Sequence, residues 1–139
     1  MSNSISLISR IHEKANKFII SELEKQGISG IVPSHGDILS VLFKYEKCTM
    51  KEISQKIHRT KATLTVLVDK LEKLELVTRE KTDKDSRITY IRLTTKGQAF
   101  KPIFEEISQN LYTKIYTNFS TEETQSFNAL LNKINQNLG

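Results

Sequence analysis

DKDSRITYIRLTTKG, residues 83–97, sets alternating charges directly before a β-branched, aromatic-containing segment and ends in Thr-Thr-Lys-Gly. Ile88 to Leu93 reads as a strand, and a second extended segment, Val77 to Thr82, precedes it across Asp-Lys-Asp-Ser-Arg. Both segments are rich in β-branched residues and a polar, charged run separates them, so together they predict a β-hairpin with a charged tip. The Thr-Thr-Lys-Gly that follows offers Thr94 or Thr95 as a helix cap.

The residues upstream place this hairpin behind four helices. Ile8, Ile11, Ala15, Phe18, Ile19 and Leu23 recur at three- and four-residue steps and predict a helix over Ile5 to Leu23. QGISGIVPS interrupts it, and Ser34 is the expected N-cap of a second helix that ends near Tyr45 to Lys47. Thr49 and Glu52 have the spacing of a capping box, so a short third helix follows with Met50, Ile53 and Ile57 on one side. A fourth helix starts three residues later and spans about Thr60 to Leu76, with Leu64, Leu67, Val68, Leu71 and Leu74 as its buried stripe.

Two short helices joined by a tight turn, the second with a polar outer face, form a helix-turn-helix; a hairpin placed directly behind makes it winged. The fold class is therefore mainly α with a small β-hairpin wing. Past the hairpin a fifth helix is expected from Thr94 or Thr95, carrying Phe100, Phe104, Ile107 and Leu111, with Pro102 tolerated near its start. Ser120 and Glu123 repeat the capping-box spacing before a sixth helix striped with Phe127, Leu130, Leu131, Ile134 and Leu138. The expected organisation is an N-terminal dimerisation helix over 1–32, a winged helix-turn-helix over 33–98 and C-terminal dimerisation helices over 99–139, integrated as one domain. A small winged domain cannot cover all the apolar stripes of the terminal helices. A second copy of the chain is the expected cover, meeting Ile8, Ile11, Phe127, Leu131, Ile134 and Leu138.

Charge locates the partner surface. Residues 51–101 hold thirteen Lys/Arg against seven Asp/Glu, a net of +6, leaving eight against nine, or −1, for the rest of the chain, whose total is +5. Concentrated positive charge is what a polyanion binder needs, because neutralising phosphates releases condensed counterions; a solvated lysine-rich surface is the competing reading. On the outer face of the fourth helix Thr60, Lys61, Thr63, Thr65 and Val66 occupy the part that enters the major groove in helix-turn-helix docking, with Lys70 further along toward phosphates. At the hairpin tip Lys84, Asp85 and Arg87 stand together: Arg87 suits the negative potential of the adjacent minor groove, and Asp85 would hold its side chain extended.

The run DSRITYIRLTTKG, Asp85 to Gly97, resembles the D-x-R-x5-L-T-x-x-G signature of the MarR-type (multiple antibiotic resistance regulator) transcription factors. MKEISQKIHRTKATLTVLVDKLEKLELVTRE, from Met50, is similar to that family's helix-turn-helix and its L-E-x-x-G-L-V-x-R passage into the wing. The resemblance covers essentially the whole chain. It implies an intertwined homodimer on pseudo-palindromic promoter DNA, usually a repressor released by a small ligand. The chain departs from the pattern at Ser86, where members commonly have a second Arg, at Val66, where many have a basic residue, and at Glu75, where glycine is usual. These departures bear on affinity and preferred sequence rather than on the mode of binding.

Other chemistries find little support. The single cysteine, Cys48, excludes an intramolecular disulfide and a cysteine-rich zinc site, and fits a packing role in a reducing compartment. His12, His35 and His58 are never three or four residues apart, so no metal site and no cofactor is expected. No phosphate loop, H-E-x-x-H or G-x-S-x-G motif is present, so no catalytic role is expected. No apolar run approaches the ~20 residues of a membrane span, and a cytoplasmic protein with no membrane partner is expected. The partners expected are double-stranded DNA, a second copy of the chain, and a small apolar or phenolic effector near the first, second and fifth helices. The alternative is a winged-helix module that binds another protein.

Overall fold

The structure is a computed structural model that describes residues 3–81, 84 and 87–139. In chain order it comprises α1 (Ser4–Lys25), α2 (Pro33–Lys44), β1 (Lys47–Thr49), α3 (Met50–Ile57), α4 (Lys61–Lys73), β2 (Val77–Lys81), β3 (Thr89–Leu93), α5 (Thr95–Gln98), α6 (Lys101–Ile115) and α7 (Thr121–Asn137). The mainly helical winged helix-turn-helix is as the sequence predicts. One antiparallel sheet has the order β1-β3-β2, with Cys48 opposite Ile91 and Val77 opposite Leu93. Its inner face closes on a core of Leu39, Ile53, Leu64, Val68, Leu71 and Ile91, against which Leu23 of α1 and Phe104 of α6 also pack. No helix among the described residues is long and apolar enough to cross a membrane.

Three expectations require correction. First, α2 begins at Pro33 and its N-cap is Val32, not Ser34. Proline suits the first helical turn because its φ is already helical and it has no N–H to leave unpaired; His35, two residues on, accepts the Val32 N–H at Nδ1 over 3.0 Å and does the work of a cap. Second, Lys47–Thr49 is a strand, too short for periodicity to reveal, that adds a third member to the hairpin. Third, the expected fifth helix is two, α5 and α6, separated at Ala99 and Phe100 with Pro102 in the first turn of α6.

The ends of α4 are fixed by specific bonds. Thr60 caps it by accepting the Thr63 N–H at 3.2 Å. At the other end Glu75 lies at φ 62, with its N–H donating to the Glu72 carbonyl and that of Leu76 to the Leu71 carbonyl, which is a Schellman ending. The helix therefore stops three residues short of the expected Leu76. The released carbonyls are taken up by the segment leaving the wing: Thr94 N–H donates to Leu76 O at 3.0 Å, Thr94 Oγ1 to Glu75 O at 2.6 Å, and Lys96 Nζ to Leu74 O at 3.0 Å. Gly97 passes so near that a Cβ there would lie 2.1 Å from the Leu76 carbonyl oxygen. This crossing accounts for the L-T-x-x-G pattern.

Replacing Glu75 with glycine should raise stability by roughly 0.5–1 kcal/mol, since it removes a side chain from the left-handed region. Gly97→Ala should lower it by about 3 kcal/mol or more, because backbone must move. Urea unfolding of the two variants measures both, and opposite signs are expected. A second outcome concerns His35, which is only 6% exposed. Burial, and then the nearby Lys70 charge, push its pKa below the ordinary 6.5. The unfolded chain takes the proton first, so this contribution to stability is complete above the ordinary value and is lost as pH falls from there toward the lowered one. Unfolding curves between about pH 5 and pH 8 should show that decline in the parent and a flatter profile in His35→Gln.

Candidate nucleic-acid interface

The turn between α3 and α4 is His58, Arg59 and Thr60. His58 takes φ 55, the Arg59 N–H donates to the Ser54 carbonyl at 3.3 Å, and Ser54 Oγ donates to the Arg59 carbonyl at 2.5 Å. The turn is thus held from both sides, and the first turn of α4 projects at a fixed angle. The Thr49–Glu52 capping box is formed as expected, with Glu52 N–H donating to Thr49 Oγ1 at 3.1 Å.

Between this helix pair and the wing lies a groove of about 1070 Å³. Thr49, Lys51 and Ser54 line it from the α3 side, Lys61 and Thr65 from α4, and Arg79, Lys81, Arg87 and Ile88 from the wing. No carboxylate is among the described residues that line it. Of the cations, Arg79 is engaged internally: it pairs with Asp69 and, at 3.4 Å, with Glu72, which braces β2 against α4. On the central strand Arg92 similarly joins Glu80 at 3.1 Å and Glu46 at 2.9 Å, tying the three strands together. The wing is therefore set relative to α4 by charge pairs at its root as well as by the crossing at Gly97.

The structure brings Lys61, Thr65 and Arg87 together on this groove. Val66 stands beside them, 69% exposed, and Thr63 is exposed on the same first turns. The Thr65 hydroxyl donates to the Lys61 carbonyl at 2.9 Å, which leaves it an acceptor for anything outside; Thr63 Oγ1 accepts from Thr60 Oγ1 at 3.1 Å and retains its own proton. Lys84 is exposed in the wing, while Asp85 lies outside the described residues. Lys70 is not on the groove: it reaches Gly30, with its Nζ 3.7 Å from where a Cβ would stand. Lys51, Ser54 and Lys81 do not stand out in the sequence: the charge of the two lysines does not distinguish them from solvated surface, and Ser54 carries no local signal.

The residues expected at a dimer seam are exposed or half-buried. Ile8 and Ile11 are joined on α1 by exposed Ile5 and Leu7. On α7, which buries none of its residues, Phe127, Leu130, Ile134 and Leu138 are exposed, Leu138 to 80%, and Leu131 is half-buried. Tyr116, Phe119 and Phe127 pack edge-on at 5.5–6.5 Å and join α7 to α6. Cys48 is buried, and burial followed by the Glu52 charge pushes its thiol pKa above the ordinary value, which fits packing.

The MarR family profile matches residues 31–89. SarZ of Staphylococcus aureus, an HTH-type transcriptional regulator, is 32% identical over 103 residues that span 72% of this chain and 67% of SarZ. Among solved structures, the MepR–DNA complex of S. aureus is similar over 100% of this chain and 99% of MepR, with TM-score 0.88 and 25% identity. A MarR variant from E. coli in complex with operator DNA shares the fold over 95% of this chain and 96% of that one, with TM-score 0.83 and 22% identity. The wing signature, the helix-turn-helix and these likenesses agree, and the chain belongs to the MarR family of transcriptional regulators.

Proposed function

We propose that the chain is a sequence-specific DNA-binding regulator that acts as a homodimer on pseudo-palindromic promoter DNA, as a repressor responsive to a small ligand. The observation that carries this reading is the convergence of Lys51, Lys61, Lys81 and Arg87 on one groove between α4 and the wing. Four cations at that spacing suit phosphates that flank a groove entered by α4. The MepR and MarR structures hold DNA with the same fold. On α4 itself, Thr65 as an acceptor favours an adenine or cytosine amino group, and the exposed Val66 favours a thymine methyl.

Homodimerisation is supported by the exposed large apolar residues of α1 and α7, since a contiguous exposed apolar patch marks an interaction site. Two copies joined there would present two α4 helices to half-sites about one DNA turn apart, and occupancy of a promoter would block transcription. A cavity of about 180 Å³ where α1, α2 and α6 meet supports ligand response, because an occupant there would alter how the winged region sits on the dimer helices.

Fluorescence anisotropy with the duplex upstream of the protein's own gene tests the reading. Affinity should fall steeply with salt and resist unrelated duplex. Arg87→Ala should weaken binding by about tenfold and leave the oligomer intact, since it removes one groove contact and no core. Ile134→Asp should dissociate the dimer, because it would place an unpaired charge in the apolar seam. Binding that ignores both sequence and salt would instead assign the groove to a protein partner.

A further inference from the structure

The cavity between α1, α2 and α6 has two chemically distinct parts. His12 and Asn16 on α1, Asp37 on α2 and Arg59 of the helix-turn-helix turn supply its charged and polar wall. Ile19, Leu23, Phe104 and Ile107 supply its apolar wall. His12, Asp37 and Arg59 are exposed, whereas Leu23, Phe104 and Ile107 are buried, so the charged groups form the mouth and the apolar ones the floor. The cavity is elongated, since His12 and Leu23 are about 16 Å apart along α1 at the ordinary helical rise; Phe104 is the apolar group beside the mouth, 3.2 Å from where a Cβ on Gly36 would stand. Partial burial pushes the Asp37 pKa up, while Arg59 and then His12 pull it down. Among the described residues neither side chain forms a direct ion pair with Asp37.

We infer that this cavity is a site for a small amphoteric molecule of the α-amino-acid type, its ammonium at Asp37, its carboxylate at Arg59 and its apolar side chain on Phe104 and Ile107. The inference rests on the ligand-responsive part of the proposed function and specifies its chemistry. At about 180 Å³ the cavity is smaller than the roughly 300–1,000 Å³ of drug-sized pockets, which selects a metabolite-sized occupant. Opposite charges that share a mouth without pairing with each other can each take a counter-charge from a ligand. A ligand with both charges on one carbon satisfies the two together, and a ligand with one charge leaves the other unmatched. Arg59 also supplies the link to DNA. Its main chain is bonded to Ser54 on both its N–H and its carbonyl, and the next residue, Thr60, caps α4. A carboxylate drawn to the Arg59 guanidinium therefore acts on the turn that aims the recognition helix.

Isothermal titration calorimetry of the free, full-length protein tests this with leucine, phenylalanine and their half-charged analogues, 4-methylpentanoate with 3-methylbutylamine and 3-phenylpropanoate with 2-phenylethylamine. At least one amino acid should bind at least about tenfold more tightly than both of its analogues, a difference of about 1.4 kcal/mol. Asp37→Asn should erase its advantage over the acid analogue alone, and Arg59→Gln its advantage over the amine alone. Equal affinity of the amino acids and analogues, no binding by any member of the panel, or losses that do not divide between the two variants would overturn the inference. The titration contains no DNA, so failure of DNA binding leaves its outcome untouched. Binding with this pattern but no effect on a DNA complex would support the ligand class and contradict only the regulatory reading.

Discussion

The crossing of the wing exit over the end of α4 is the contact on which the interface depends. Leu74 at the C-cap of α4 and the two residues beyond it, Glu75 and Leu76, present carbonyls that all accept hydrogen bonds from Thr94 or Lys96. An unpaired backbone carbonyl is costly where water is excluded, so the fastening has two effects at once. It finishes α4, and it fixes the wing's return strand to the end of that helix within a backbone contact at Gly97 that no side chain could share. Arg79, held by Asp69 and Glu72, secures the outgoing strand in the same way. Both strands are thereby anchored to the C-terminal half of α4 and the residues just past it.

Charge and apolar surface are divided between the two ends of the molecule. The middle of the chain has the excess of Lys and Arg, and the structure gathers part of it on the groove; the terminal helices retain their large apolar side chains at the surface. The division follows from the chemistry each surface would serve. Phosphate contacts need cations that stay hydrated until they are used, and a helical seam needs side chains that lose water readily. The cavity at the junction of these two regions is bordered by both, with Arg59 on one side and the apolar face of α6 on the other.

Much of this was legible in the sequence. Helices α1, α4 and α7 announce themselves through their apolar stripes, and the Thr49, Thr94 and Ser120 caps through their side chains, because helical periodicity and capping act over a few residues. The hairpin and the polar face of α4 were legible for the same reason. The start of α2 was not, since His35 caps it through a ring nitrogen that no common capping pattern includes. Nor was β1, whose three residues are held as a strand only by pairing with β3, more than forty residues distant. The groove lining was visible in part: Lys61, Thr65 and Arg87 follow from the motif, whereas Lys51 and Lys81 join them only through tertiary placement, and Lys70, on the same helix as Lys61, points instead toward Gly30.

Hydroxyl-radical footprinting of the protein on the promoter fragment it binds measures directly whether two winged units engage one face of a duplex together. Two protected blocks about one helical turn apart, each flanked outward by a narrower protected stretch where a wing enters the minor groove, are the predicted pattern. A single protected block, or uniform weak protection along the fragment, would contradict it.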